Sequence, residues 1–142
     1  MAKKKSYGLA EKSAAKPAVA PKLPYAPRDP RRYRPRIALI GCGGISQIHL
    51  RAYKAAGYDI VALCDVDAAK AEARRTEFFP KAGVYSDYRE VLRRDDIEVV
   101  DIATHPSQRI PIVKAALDAR KHVLSQKPFV VDLDVGERLI EL

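Results

Sequence analysis

The sequence predicts an α/β protein built on a doubly wound parallel sheet. Three observations predict this fold class. Short apolar runs alternate with segments of helical spacing, the first run is unbroken and stops abruptly at glycines, and four of the runs are followed by a glycine or a polar residue. Parallel strands are covered on both faces, so their sequences are continuously apolar. Five strands joined by right-handed crossovers give the expected order 3-2-1-4-5, with a ligand crevice between strands one and four at their C-terminal ends.

The first 35 residues do not belong to this pattern. They hold six of the ten prolines, with Ala, Lys and Arg between them. This composition buries too little apolar surface to offset the entropy of ordering. We therefore expect a flexible or polyproline-like extension over residues 1–35, followed by one folded domain over residues 36–142. A basic arm that contacts nucleic acid, a membrane or a partner subunit is the alternative for the extension.

The elements of the folded domain follow in order from residue 36. The predicted strands are 36–40, 60–64, 83–85, 99–103 and 122–125. The predicted helices are 44–56, 67–78, 87–93, 107–119 and a last helix that begins at Asp132. The apolar face expected on the first helix consists of Ile45, Ile48, Ala52 and Ala55.

The helix boundaries come from local chemistry. Gly57 ends the first helix, Pro80 closes the second and Pro106 opens the fourth. Asp67 and Asp87 stand where an N-cap carboxylate accepts from the free N–H groups of a first helical turn. These residues place the turns between strands and helices.

The first strand and the turn after it carry the strongest functional signal. The turn has the sequence Gly41-Cys42-Gly43-Gly44-Ile45-Ser46. Gly41 can adopt the φ of a sharp turn, and Gly43 has no Cβ to keep a ligand away. The free N–H groups of Gly43, Gly44 and Ile45 at the start of the helix would point at one spot, which suits a phosphate.

Asp65 ends the next apolar run, 24 positions after Gly41, close to the offset of about 20 residues expected for the acid that binds a ribose hydroxyl. Strand, glycine turn, helix, second strand and terminal acid together indicate a dinucleotide-binding site. Ser46 stands at the third fingerprint position in place of Gly or Ala, so the helix is expected to sit slightly further from its strand. A glycine-rich turn with a purely steric role is the alternative.

The residues after Asp65 favour NAD over NADP. Val66 and Asp67 follow, so two carboxylates would face a 2′-phosphate and no arginine directly follows. Arg74 and Arg75 lie more than two helical turns further on and are expected to point elsewhere.

Charge and cysteine content argue against several function classes. Residues 1–36 carry 11 Lys or Arg against two acids, whereas the other 106 residues carry 15 basic and 16 acidic side chains. The net charge of +8 thus belongs to the extension, and no nucleic-acid surface is expected on the domain. Cys42 and Cys64 are expected to be packed, reduced thiols of a cytoplasmic protein. The sequence has no apolar stretch of 18 residues, so no membrane span is predicted, and its three histidines are too scattered to indicate zinc.

Five motifs in one order extend over residues 36–142. They are Gly41-Cys42-Gly43-Gly44-Ile45-Ser46 with His49, Leu63-Cys64-Asp65, Tyr85-Ser86-Asp87-Tyr88-Arg89-Glu90-Val91-Leu92, Val100-Asp101-Ile102-Ala103-Thr104-His105-Pro106 and Lys121-His122-Val123-Leu124-Ser125-Gln126-Lys127-Pro128. Together they resemble the glucose–fructose oxidoreductase / inositol dehydrogenase (Gfo/Idh/MocA) family. The resemblance implies a Rossmann domain of an oxidoreductase that transfers a hydride between a nicotinamide cofactor and a secondary alcohol of a sugar, cyclitol or related compound.

The resemblance also implies roles for particular residues. The expected cofactor-binding set is Gly41, Cys42, Gly43, Gly44, Ile45, Asp65, Ala103, Thr104 and Lys127, with NAD as the cofactor. Lys127 is the implied catalytic residue, which steadies the reacting oxygen and relays its proton, and Pro128 is expected to follow a cis peptide bond. A solvated lysine is the alternative for Lys127, and a turn or helix-cap residue is the alternative for Thr104.

The sequence departs from the family pattern at two positions near this motif. Gln126 stands where the family usually has Glu, which removes a negative charge beside Lys127. A neutral Gln can still orient the lysine by hydrogen bonding. Arg109 stands where a family histidine often follows, and it is expected on the first helical turn facing solvent. For His49, a packed histidine bonded to a backbone carbonyl is weighed equally with a catalytic role.

In the family, a larger α+β domain supplies the substrate wall, further catalytic groups and often the oligomer interface. The chain ends at Leu142 before such a domain. We therefore expect a fragment that binds a dinucleotide but does not by itself turn over a polyol or sugar, and homo-oligomers only with the second domain.

Two other function classes stay open. A non-catalytic dinucleotide-binding or redox-sensing protein predicts tight NAD binding without dehydrogenase activity, even when a second domain is supplied. A nucleic-acid-associated protein predicts salt-sensitive binding that is lost when residues 1–35 are deleted.

Overall fold

The computed structural model describes residues 32–142 and the isolated positions 19, 21, 23, 28 and 30. The chain divides into two units, Met1–Pro30 and Arg31–Leu142, and the helices and strands given below all lie in the second. The extension predicted over residues 1–35 falls almost entirely outside the described residues, so its flexibility stays a prediction.

Five strands form one parallel sheet. They are β1 (Arg36–Ile40), β2 (Asp59–Cys64), β3 (Gly83–Tyr85), β4 (Val99–Ile102) and β5 (His122–Ser125). Their order across the sheet is β3-β2-β1-β4-β5, and every neighbouring pair is parallel. This confirms the predicted fold class and strand order. The C-terminal ends of β1, β2 and β4 therefore lie at one edge of the sheet, where the candidate site residues follow them.

Five helices connect and follow the strands. They are α1 (Ser46–Ala56), α2 (Ala68–Phe78), α3 (Tyr88–Leu92), α4 (Pro106–Asp118) and α5 (Leu133–Ile140). The carboxylates of Asp67 and Asp87 accept N–H groups of the first turns of α2 and α3, as predicted, and Asp132 does the same for α5. Gly57 ends α1 in the left-handed region at φ 70°. Helix α1 begins two residues later than predicted.

The sheet has a buried apolar cluster on each face. On one face, Ala38 and Ile40 of β1 belong to a cluster that includes residues of α3, α4 and α5. On the other face, Ile37 and Leu39 belong to a cluster that includes Leu50 of α1 and residues of α2. Alternate residues of β1 thus serve opposite faces, which explains why the strand is apolar without a break.

Helix α1 does not pack through the face that its apolar spacing predicts. Ile45 and Ile48 are 37% and 63% exposed, whereas Ser46 and Leu50 are buried. The prediction was wrong because the inward face carries polar side chains that find hydrogen-bond partners inside the domain. The Ser46 hydroxyl donates to the Gly43 carbonyl at 2.5 Å, so a buried serine carries no desolvation penalty there.

No helix among the described residues is long and apolar enough to cross a membrane.

Candidate dinucleotide-binding site

The turn between β1 and α1 presents three main-chain N–H groups to the outside of the sheet edge. Within residues 32–142, the N–H groups of Gly43, Gly44 and Ile45 donate to no protein acceptor. Helix α1 begins directly after them, at Ser46, and no side chain caps it. The unpaired amides and the positive end of the helix dipole together suit an anionic group.

Gly41 and Gly43 make room in different directions. Gly41 has φ +100°, and a Cβ there would lie 2.8 Å from the carbonyl carbon of Ala103 and from the main-chain nitrogen of Thr104. The turn can therefore approach the end of β4 only with glycine at this position. A Cβ on Gly43 would meet no atom within 4 Å, so the absence of a side chain there leaves the approach to the amides open.

Asp65 stands at the end of β2 beside the glycine turn. Its Oδ2 accepts the Cys42 N–H at 2.8 Å, and its Oδ1 accepts the Asp67 N–H at 2.9 Å. Two main-chain donors thus fix the carboxylate, and each oxygen retains a lone pair for a further donor. This geometry suits a hydroxyl pair such as that of a ribose.

Cys42 contributes to the site through Asp65. Its N–H is already bonded to that carboxylate, and its thiol lies in the core with Sγ 3.6 Å from the Cys64 carbonyl oxygen. Burial raises the pKa of both thiols to about 12, and both cysteines are free. They are packed, unpaired thiols, as the sequence predicts.

A cleft of about 420 Å³ lies along this edge of the sheet, within the range of small-molecule sites. Of the predicted site residues, it brings together Gly41, Gly43, Asp65, Ala103 and Thr104. Its lining does not include the predicted residues Cys42, Gly44, Ile45 and Lys127.

Sequence reasoning missed part of this cleft. The further lining residues are Ile40, Val66, Lys70, Tyr88, His105, Gln108, Pro111 and Ile112. Most of them lie in the turn or first helical segment after a strand end, so the rule that places ligands at the C-terminal edge of a parallel sheet could have found them. Tyr88 at the start of α3 is an example.

Thr104 and His105 lie between the end of β4 and the start of α4. The helix-cap alternative for Thr104 is wrong, because His105 is the N-cap of α4 and its ring accepts from the Ser107 N–H. The Thr104 hydroxyl oxygen is buried and has no hydrogen-bond partner among the described residues. The structure thus gives this hydroxyl neither a protein partner nor access to solvent.

Lys127 follows β5 at the neighbouring part of the edge. The Lys127–Pro128 peptide bond is cis, as the resemblance implies. The lysine is exposed, and its N–H donates to the side-chain oxygen Oε1 of Gln126 at 2.6 Å. The Gln126 side chain therefore holds the main chain of Lys127 rather than its ammonium group.

Arg109 lies beneath this segment. It is 1% exposed, and its guanidinium donates to the carbonyl oxygens of Thr104, Gln126 and Pro128. The expectation that it faces solvent is wrong, because three main-chain acceptors meet at one point inside the domain and a guanidinium has the donors to satisfy them. Burial lowers the pKa of Arg109 below its ordinary value.

His49 joins α1 to β4 and β5. Its Nδ1 lies 2.7 Å from Oδ2 of the buried Asp101, and its Nε2 lies 2.9 Å from Nε2 of Gln126. The interpretation of His49 as a packed histidine is supported, but its partner is a carboxylate and not a backbone carbonyl.

The sequence matches the oxidoreductase family with an NAD-binding Rossmann fold, GFO_IDH_MocA, over residues 35–142. The chain belongs to this family.

Curated and solved relatives agree with the assignment. The chain is 33% identical to an inositol 2-dehydrogenase of Salmonella typhimurium over 108 residues, which are 75% of this chain and 32% of that protein. A myo-inositol dehydrogenase from Lactobacillus casei, solved with NAD(H) and myo-inositol, superposes with a TM-score of 0.72 at 27% identity over 77% of this chain and 33% of that one. A 3-ketoreductase from Actinomadura kijaniata, solved with TDP-benzene and NADP, gives a TM-score of 0.71 at 27% identity over 77% and 34%.

The chain spans about a third of the length of these relatives. The match covers the Rossmann domain of the Gfo/Idh/MocA family, so the activity, substrate and assembly of a whole protein are matters of proposal.

Arg74 lies closer to the family's glycine turn than its position in the sequence predicts. Its Nε donates to the Ser46 hydroxyl at 3.2 Å, and its terminal nitrogens lie 3.0 and 2.9 Å from the side-chain oxygen of Gln47 once that amide is oriented to accept. Arg74 does not line the cleft beside Asp65, so the expectation that it does not face a 2′-phosphate there stays a prediction. Its guanidinium is bonded to side chains of the first turn of α1.

The described residues contain no group of three or more His, Cys, Asp or Glu side chains placed to hold a metal ion.

Proposed function

We propose that this domain binds NAD in the cleft at the C-terminal edge of its sheet, as the cofactor half of an oxidoreductase. In the whole protein, a hydride would pass between the nicotinamide and a secondary alcohol of a sugar, cyclitol or related compound. The observation that carries the proposal is the combination, at one edge, of three unpaired main-chain N–H groups and the fixed carboxylate of Asp65.

The residues present fit a dinucleotide. The N–H groups of Gly43, Gly44 and Ile45 would donate to the pyrophosphate, and Gly41 keeps their turn against β4. Asp65 would accept from the adenosine ribose hydroxyls. Ala103 and Thr104 would line the nicotinamide side of the cleft.

Lys127 is the residue to which we assign the proton chemistry. When bound, NAD supplies the hydride-accepting carbon. The exposed Lys127 side chain would hold the reacting oxygen, taking the hydroxyl proton at Nζ as an amine during oxidation and returning it as an ammonium during reduction. Gln126 and Arg109 fix the main chain on either side.

The preference for NAD rests mainly on Asp65. A carboxylate fixed by two N–H groups repels a 2′-phosphate at the same place. The Asp67 carboxylate is already engaged as the N-cap of α2. Lys70 lines the cleft with its Nζ 3.4 Å from Oδ2 of Asp67, and its charge offsets part of that repulsion. The structural relatives include one solved with NAD(H) and one with NADP.

The relatives' names support the substrate class. They include inositol dehydrogenases and a D-apiose dehydrogenase, whose substrates by name are a cyclitol and a sugar. A cytoplasmic location and homo-oligomers formed with a substrate domain remain predictions.

Calorimetry on the 142-residue chain tests cofactor binding. We expect NAD to bind more tightly than NADP, and Asp65→Ala to weaken NAD binding roughly tenfold or more, because hydrogen bonds to a charged acceptor are lost. The matched control is Asp118→Ala, at the far end of α4, whose carboxylate pairs with Lys114; it should bind NAD as the parent does.

The outcomes separate the parts of the proposal. If the folded parent binds neither cofactor, the proposed function is wrong. If parent and Asp65→Ala bind NAD equally, only the ribose assignment is wrong. Hydride transfer is tested on a protein that contains the substrate domain, where Lys127→Ala should abolish the appearance of reduced cofactor and leave NAD affinity within about threefold of the parent, since no pyrophosphate contact is removed.

A further inference from the structure

Three side chains and one main-chain amide form a continuous hydrogen-bond chain from the sheet to the segment that carries Lys127. The Lys127 N–H meets Oε1 of Gln126 at 2.6 Å. The Gln126 amide nitrogen meets Nε2 of His49 at 2.9 Å. The other ring nitrogen of His49 meets Oδ2 of Asp101 at 2.7 Å.

The direction of every bond in this chain follows from one end. A main-chain N–H is always a donor, so the Gln126 atom facing Lys127 must be the carbonyl oxygen. The Gln126 amide nitrogen then faces His49 as a donor, so Nε2 of the ring must accept. The ring hydrogen is therefore on Nδ1, where it donates to the Asp101 carboxylate. Each donor in the chain meets an acceptor.

At the other end of the chain, the Asp101 carboxylate only accepts hydrogen bonds. This carboxylate is fully buried, and its Oδ2 also accepts the Tyr53 hydroxyl at 2.9 Å. Burial, and then the Asp101 charge, raises the pKa of Tyr53, so the phenol retains its proton and donates. His49 and Tyr53, four residues apart on α1, thus hold the same oxygen.

We propose that Gln126 is a positioning residue that fixes the main chain of Lys127 through a His49 ring held as its Nδ1–H tautomer. The inference rests on the role proposed for Lys127. Gln126 is suited to the task because its amide offers an acceptor to Lys127 and a donor to His49 at the same time.

The glutamate that the family usually has at this position would act differently. A carboxylate has no donor, so it could accept from Lys127 only while requiring a hydrogen on Nε2 of His49. The residue at position 126 therefore determines which ring nitrogen of His49 carries the hydrogen. The charged and titratable groups that touch it are Asp101 of β4, Tyr53 of α1 and, through the Gln126 carbonyl, Arg109 of α4.

Nitrogen NMR of the full chain labelled in histidine reads the tautomer directly. We expect the His49 ring to show a protonated Nδ1 and an unprotonated Nε2, and Gln126→Glu to convert Nε2 to the protonated form. His49→Gln and His122→Gln assign the signals. A parent His49 protonated on Nε2, or a ring unchanged by Gln126→Glu, would overturn the proposal.

Hydrogen exchange at the Lys127 amide measures the positioning. Gln126→Leu removes its acceptor and should speed exchange roughly tenfold. His49→Gln should speed it as well, because Gln126 loses its anchor, whereas the exposed His122→Gln is the matched control and should leave it unchanged. Unchanged exchange in His49→Gln would show that the ring does not hold the segment. Should His49→Gln not fold, Gln126→Glu decides the matter through the tautomer.

Neither measurement requires a cofactor. If the chain shows the expected tautomer and exchange but binds no NAD, the structural part of the positioning inference stands and the proposed function is wrong. If the chain binds NAD but shows neither the expected tautomer nor the expected exchange, the positioning inference is wrong and the proposed function stands.

Discussion

Replacing Arg109 by methionine tests how the segment around Lys127 is held. Arg109 is buried, and its guanidinium donates to the carbonyl oxygens of Thr104, Gln126 and Pro128. Hydrogen bonds to a charged donor contribute about 1.5–3 kcal/mol each, so three give an upper bound of about 4.5–9 kcal/mol.

Two effects reduce that bound. Gln126 is half-buried and Pro128 is exposed, so their carbonyls can regain water when the guanidinium is removed. Within the described residues Arg109 pairs with no carboxylate, so methionine also relieves the cost of burying an unpaired charge. The direction of the Arg109 pKa, lowered by burial, reflects the same cost. We expect the free energy of unfolding to fall by about 2–4 kcal/mol.

Urea unfolding followed by circular dichroism measures the effect. For a domain of this size the expected loss lowers Tm by about 10 °C or more. The matched control is Arg51→Met on α1, an exposed arginine, which should change the free energy of unfolding by less than about 0.5 kcal/mol. A loss for Arg109→Met no larger than that of the control would refute the view that the guanidinium holds the three carbonyls.

Two further perturbations test the glycine turn and the core. Gly41→Ala should lower the free energy of unfolding by about 3 kcal/mol or more, because φ is +100° and the new Cβ would lie 2.8 Å from the backbone of β4's end; Gly44→Ala, with open space around it, is the control, and equal stabilities in urea would contradict the geometry. The pKa of Cys42 and Cys64, raised to about 12 by burial, should leave both thiols unlabelled by a thiol reagent at pH 8 until the chain unfolds. The same shift stabilises the fold below the ordinary thiol value of 9.0, and that stabilisation is lost as pH rises towards 12; rapid labelling of the folded chain would show that the thiols are not buried as described.

The strand order and the helix ends could be predicted because they depend on local sequence. Apolar runs buried on both faces mark the strands, and Asp67 and Asp87 satisfy helical N–H groups two positions away. The edge at which a ligand binds then follows from topology alone. The same logic predicts that Gly41, Asp65, Thr104 and Lys127 share one edge of the sheet. The first three line one cleft, and Lys127 does not.

The inward face of α1 could not be predicted in the same way. Ser46, His49 and Tyr53 are polar, and spacing rules assign polar residues to the solvent side. The partner of His49 and Tyr53 comes from elsewhere in the chain, since the Asp101 carboxylate is 52 positions from His49 and 48 from Tyr53. A buried carboxylate in an otherwise apolar strand was the available signal, since such a group requires donors from a facing element.

Gln126 and Arg109 were separate departures in the sequence, and the structure joins them at one segment. The Gln126 carbonyl accepts from Arg109, while its side chain accepts from Lys127 and donates to His49. A glutamate at position 126 would place a carboxylate within reach of His49, whereas the neutral amide of Gln126 does not. The cation at position 109 bonds to main-chain carbonyl oxygens, which any sequence would supply. The segment is therefore held by a guanidinium on its carbonyls and by an amide on its N–H. Because both hold the same peptide, Arg109→Met should also speed exchange at the Lys127 amide, which neither departure alone would predict.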